Sequence, residues 1–153
     1  MTNSNPNSIQ TIADTIANGC LSMRTRFLNR TINSIYDEAF RELGITASQA
    51  NMLVAILKDG ELSPTRLGQL LNIEKSTLSR NLDRLRKLEL IEIIAPDSGR
   101  THSVQVSKAG NELMPRVFPL WQQAQETVHQ LLGDEGAQKL KSSADLAREK
   151  LTP

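Results

Sequence analysis

Cations and hydroxyls crowd one short stretch of this chain. Lys75, Ser76, Thr77, Ser79, Arg80, Arg84 and Lys87 alternate there with Leu78, Leu82 and Leu85. Hydroxyls and guanidinium groups hydrogen-bond base edges, and Lys and Arg neutralise phosphates, so the chemistry on offer is nucleic-acid recognition. Two hydroxyls precede this set, Ser63 and Thr65, and a polar, turn-rich tip follows it: Pro96-Asp97-Ser98-Gly99-Arg100-Thr101-His102. Arg100 and His102 are the tip's candidate contacts. Asp83, a carboxylate among the cations, would repel phosphate. Its expected role is to orient Arg84 or Arg100 through a charge-assisted hydrogen bond, and Asp97 is given the same orienting role at the tip.

Catalysis finds little to work with. One cysteine and two histidines, His102 and His129, well separated along the chain, cannot assemble the usual nucleophilic or metal-assisted sites. There is no phosphate-cradling glycine loop, no nucleophile elbow and no metal-ligand spacing, so neither an enzyme nor a cofactor is expected.

The elements that must position these residues can be read from periodicity. Ser63-Pro64 is an N-cap followed by a first helical residue, and Leu67, Leu70 and Leu71 carry that helix to a stop at Asn72. Ile73 plugs the turn, and a second helix begins near Glu74 or Lys75 with Leu78, Leu82 and Leu85 on its buried face. After Leu90 the period changes to two: Ile91 and Ile93, then Val104 and Val106, predict a hairpin of half-buried strands. Helix, turn, polar-headed helix and hairpin, in that order, make a winged helix-turn-helix. In that arrangement the second helix enters the major groove by its N-terminal residues, and a basic tip can reach the adjacent minor groove. Double-stranded DNA is the expected partner.

Around this reader the chain is helical. A long pattern runs through Ile9, Ile12, Ile16, Cys20, Met23 and Phe27, and a second stretch from Ile35 to Leu43 ends at Gly44. Thr46 with Gln49 is a capping box for a helix through Met52, Leu53, Ile56 and Leu57, which Asp59-Gly60 turns off. Glu61-Leu62 could add a third small strand to the wing sheet. Ser107 caps a long helix through Leu113, Val117, Leu120, Trp121, Val128 and Leu131. Pro115 and Pro119 should bend or break it early, and Gly133-Asp134 separates it from a last helix with Leu140, Leu146 and Leu151.

The expected fold class is therefore mainly α with a small β-wing. Its parts are a disordered tail over 1–8, N-terminal dimerisation helices over 9–44, a DNA-binding domain over 45–107 and C-terminal dimerisation helices over 108–153. A lone reader would leave the apolar stripes of the terminal helices in water, so they are expected to pair across a two-fold axis as a homodimer. With 18 Lys and Arg against 17 Asp and Glu the net charge is only +1, so the positive potential that DNA needs must be local. No apolar run is long enough to span a bilayer and Met1 to Ser8 lacks a signal peptide, so a cytoplasmic protein with no membrane partner is expected.

Several segments, in their order and spacing, resemble the MarR family of winged-helix regulators. They are Ile45-Thr46 to Leu57, Leu67-Gly68-Gln69-Leu70-Leu71, Lys75 to Arg80, Leu82-Asp83-Arg84-Leu85, Leu90-Ile91 and Val106 to Gly110. The resemblance implies an obligate homodimer with interlocked terminal helices, a recognition helix carrying Lys75, Ser76, Thr77, Ser79, Arg80 and Arg84, and Arg100 as the wing arginine. It also implies transcriptional repression relieved by a small-molecule effector or by oxidation. The ligand would lie between the dimerisation helices and the reader, with Phe27, Met52 and Phe118 as candidate apolar walls. Glu89 stands where the family commonly has Gly, and the wing's Asp-Ser-Gly-Arg has one basic position fewer than the family pattern.

Cys20, the single cysteine, lies on an apolar stripe and is expected in the core. Peroxide sensing through Cys20 is the redox alternative to ligand release. A winged-helix module used for protein contacts is the alternative outside DNA binding; it would not need the cations at Lys75, Arg80, Arg84 and Arg100.

Overall fold

The computed structural model describes residues 8–95 and 102–151, and the chain divides after Ser34 into two units. In the first, α1 (Ile9–Gly19) starts on Ser8, whose Oγ accepts the Thr11 N–H at 3.1 Å. The periodicity predicts one helix through Phe27. Instead, extended backbone at Cys20 (φ −72°, ψ 109°) ends α1, and α2 (Leu21–Ala39) begins at the next residue. Arg24 closes this joint, donating to the Ala17 and Cys20 carbonyls, both at 3.2 Å, at the end of α1. Cys20 is thus half-buried at a break and not packed in a core. Ile9, Ile12, Ile16, Leu21, Met23 and Phe27 are all exposed.

In the second unit, a 3-10 turn (Arg41–Leu43) follows α2 and ends on Gly44 at φ 70°. The stretch from Ile35 to Leu43 is therefore the end of α2 plus this turn. α3 (Ala47–Asp59) opens on the expected capping box: Thr46 Oγ1 accepts the Gln49 N–H at 3.3 Å and Gln49 Oε1 accepts the Thr46 N–H at 3.0 Å. Asp37 contributes a further cap, its carboxylate accepting the Ala47 N–H at 2.7 Å. α4 (Pro64–Leu71) is capped by Ser63 and ends at Asn72 in the left-handed conformation, φ 49°. α5 (Lys75–Lys87) follows.

β1 (Ile91–Ile94) and β2 (Ser103–Val106) pair antiparallel with Ile91 opposite Val106 and Ile93 opposite Val104. Leu62 joins the sheet by an isolated bridge, exchanging two backbone hydrogen bonds with Val104 at 3.1 and 2.8 Å, where a third small strand was an option. The core gathers Phe40, Met52, Leu53, Ile56, Leu67, Leu85 and Val104, all but sealed from solvent, with Leu78, Leu82, Leu90, Ile91, Leu113 and Val117 around them.

α6 (Lys108–Leu151) contains Pro115 and Pro119, yet neither breaks it. Both prolines are exposed, so water can take the carbonyl bonds that their missing N–H groups leave unmade. The non-helical residue is Gly133 (φ 67°, ψ 164°), where the Gly-Asp pair predicts a separation.

One junction ties the reader to α6. Buried Ser107 donates its hydroxyl to the Glu89 carbonyl at 2.6 Å and accepts the Gly110 N–H at 3.0 Å. A Cβ on Gly110 would meet the Leu90 oxygen at 2.3 Å, so only glycine lets α6 start this close to the end of α5.

Candidate nucleic-acid interface

Three buried leucines, Leu78, Leu82 and Leu85, set the orientation of α5. At 100° per residue the side directly opposite them carries Ser76, Arg80, Asp83 and Lys87, with Arg84 beside Arg80. Lys75, Ser76, Ser79, Arg80, Asp83, Arg84, Arg86 and Lys87 are all exposed, whereas Thr77 is half-buried. Among the described residues none of Lys75, Arg80, Arg84, Arg86 and Lys87 is in an ion pair. Their charge is therefore uncompensated, and the stretch from Lys58 to Lys87 carries seven cations against four carboxylates. That excess is the local positive potential a near-neutral chain needs to attract a polyanion.

The two ends of α5 differ in what their charges do. Arg84, Arg86 and Lys87 occupy its last turn, where cations also favour the helix dipole, so structural stability alone accounts for them. Lys75 sits at the first helical position, where a cation opposes the dipole, and Glu74 at the N-cap makes no side-chain capping bond. A charge that works against its own helix points to a use outside it.

The remaining expected contacts fall around this face. Ser63 Oγ accepts the Arg66 N–H at 3.2 Å, which leaves its O–H and a second lone pair for a partner. Thr65 is exposed and, with Pro64, Gly68, Gln69, Asn72, Ile73, Glu74, Lys75 and Leu78, lines an open groove of about 460 Å³ between α4 and α5. His102 is exposed at the start of β2. Arg100 and Asp97 lie outside the described residues. Asp83 forms no ion pair with Arg84, so its expected orienting contact with that arginine is not made.

Arg86 and the groove residues Gln69 and Glu74 are additions to the residues read from sequence. Arg86 is visible as a cation of the same helix, but it lies on the flank next to the buried row. The groove has no sequence signal because it depends on how α4 meets α5. Among the candidate ligand walls, Met52 is core, while Phe27 and Phe118 are exposed, and Phe118 stacks on Trp121 with ring centroids 6.0 Å apart. Among the described residues no His, Cys, Asp and Glu cluster could hold a metal, and no helix is long and apolar enough to cross a membrane.

The helix-turn-helix and the first wing strand lie within residues 43–100, which match the model of the MarR family. Over those residues the chain is similar to the MarR family. That segment takes in α3, α4, α5 and β1, and MarR-family proteins are winged-helix, DNA-binding transcription regulators, not enzymes.

Solved structures of the family resemble nearly the whole chain. A mutant of MarR from E. coli complexed with operator DNA superimposes with a TM-score of 0.74 at 22% identity, over 90% of this chain and 97% of that one. The M. tuberculosis transcriptional regulator MosR gives 0.73 at 27% identity, over 86% and 96%. The transcriptional regulator SlyA gives 0.71 at 18%, over 86% and 94%, and at the identities of MarR and SlyA the likeness is one of fold. No curated protein sequence matches the chain.

Proposed function

We propose that this MarR-family chain is a sequence-specific transcriptional repressor that grips a pseudo-palindromic operator as a homodimer and releases it when a small ligand binds. The observation that carries the DNA reading is the outer face of α5, where hydroxyls and cations stand exposed without ion-pair partners over a buried leucine row. MarR has been crystallised with operator DNA and MosR with DNA, which supports the same partner for this chain. In this reading Lys75, Ser76, Ser79 and Arg80 meet base edges and nearby phosphates in the major groove, with Thr77 at the edge of that face. Ser63, Thr65, Arg84 and Lys87 hold the backbone, and Arg100 and His102 reach the minor groove from the wing.

The dimer reading is supported by the large apolar side chains left exposed on the terminal helices: Ile12, Ile16 and Phe27 near one end, and Leu140, Leu146 and Leu151 near the other. A second copy of the chain is the partner that covers them. Repression and ligand release rest on the family resemblance; release by oxidation at Cys20 is distinguished by whether Cys20→Ser leaves the response intact.

Replacing Arg84 and Lys87 by alanine and titrating a duplex at several salt concentrations tests the DNA reading. Each lost phosphate contact should lower the dependence of log affinity on log salt by about 1. An unchanged slope and affinity would instead favour a winged helix used for protein contacts.

A further inference from the structure

Thr77 stands at the edge of the reading face and is half-buried, so it is less free to meet a base than Ser76 or Ser79. Its hydroxyl is also engaged. Thr77 Oγ1 accepts a hydrogen bond from the Arg80 guanidinium at 3.4 Å, and the Thr77 carbonyl accepts one from Asn81 Nδ2 at 3.0 Å. Arg80 has a charged alternative in the opposite direction: Asp83, three residues on, is exposed and at a spacing where helical ion pairs form. Among the described residues no such pair forms. The guanidinium lies instead over the turn preceding its own Cα, toward the end of a recognition helix that approaches base edges.

We propose that Thr77 is a positioning residue for Arg80, holding the guanidinium away from Asp83 and toward the bases, where it reads a guanine through O6 and N7. The inference rests on α5 being a recognition helix and gives Thr77 an indirect part in specificity. Two parallel N–H donors match the guanine edge in the major groove, whereas an arginine free to swing falls back on phosphates, which carry no sequence information. A β-branched residue suits the task, because few side-chain rotamers are open to it within a helix.

The test uses the full-length protein and the operator it selects, with each G·C pair of a half-site changed one at a time. Wild type is expected to discriminate at one such pair by about tenfold or more. Thr77→Val, the same shape without the hydroxyl, should lose most of that discrimination at the same pair as Arg80→Lys, and Thr77→Ser should restore it. Thr77→Ala should repeat the loss, and thermal unfolding of each variant shows that a folded protein is being compared. Discrimination retained in Thr77→Val, lost at a different pair from Arg80→Lys, or replaced by an equal loss on every duplex would overturn the inference. A wild-type chain that selects no operator overturns the recognition-helix reading itself. An operator that wild type and Thr77→Val read alike overturns only the role of Thr77.

Discussion

Tyr36 is the chain's single tyrosine; its phenol donates to Gln125 Oε1, and burial pushes its pKa above the ordinary 10.0. The charged form is what burial disfavours, so the folded chain keeps the phenolic proton to a higher pH than the unfolded chain does. Stability from this group is therefore complete below about pH 10 and falls as pH rises through the raised value. Tyrosinate absorbance reads the residue alone. Its midpoint should lie above that of the denatured chain, and Tyr36→Phe should flatten the alkaline loss of stability; equal midpoints would contradict the burial argument.

At the scale of elements, the end of α5 combines two opposing effects. Glu89 occupies the left-handed region at φ 59°, which disfavours a residue with a Cβ, while its carbonyl receives the Ser107 hydroxyl. Glu89→Gly should raise stability by about 1 kcal/mol in denaturant unfolding. Ser107→Ala should lower it by roughly 1–3 kcal/mol, because the Glu89 carbonyl and the buried Gly110 N–H lose their partner together. At the other end of α5, Lys75→Ala should leave unfolding stability unchanged or slightly raised, since the cation opposes the dipole, and should weaken duplex binding. Parallel losses of stability and binding would mean that Lys75 serves the fold.

The short elements were legible in sequence because each is punctuated locally. The Ser63 cap with Pro64, the Asn72 stop, the Thr46–Gln49 box and the strand alternation around Ile91 and Val104 all appear where these signals put them. What periodicity missed depends on contacts remote in sequence or on solvent. The break at Cys20 is held by Arg24 from the following helix, and α6 tolerates Pro115 and Pro119 because both are exposed. The candidate site was legible as composition: Ser76, Ser79, Arg80 and Arg84 are named from sequence, and all four are exposed. The half-burial of Thr77 and its bond to Arg80 could not be read without the helix's orientation.

At the scale of the whole molecule, a net charge of +1 leaves affinity, in the proposed function, to a few well-placed cations and to the proposed pairing of two readers. If the exposed apolar rows of the terminal helices meet a second copy, Ile16→Glu with Leu146→Glu should yield a monomer by sedimentation while leaving the reader folded. Operator affinity should then fall on the order of a hundredfold, because the second half-site no longer binds as part of one assembly. A wild-type chain that sediments as a monomer at micromolar concentration would count against pairing. The most direct measurement is selection of bound fragments from the organism's own genomic DNA by the purified protein. A shared pseudo-palindrome, its half-sites centred about one helical turn apart, roughly 34 Å, is the expected result. Recovery of fragments with no common sequence would contradict it.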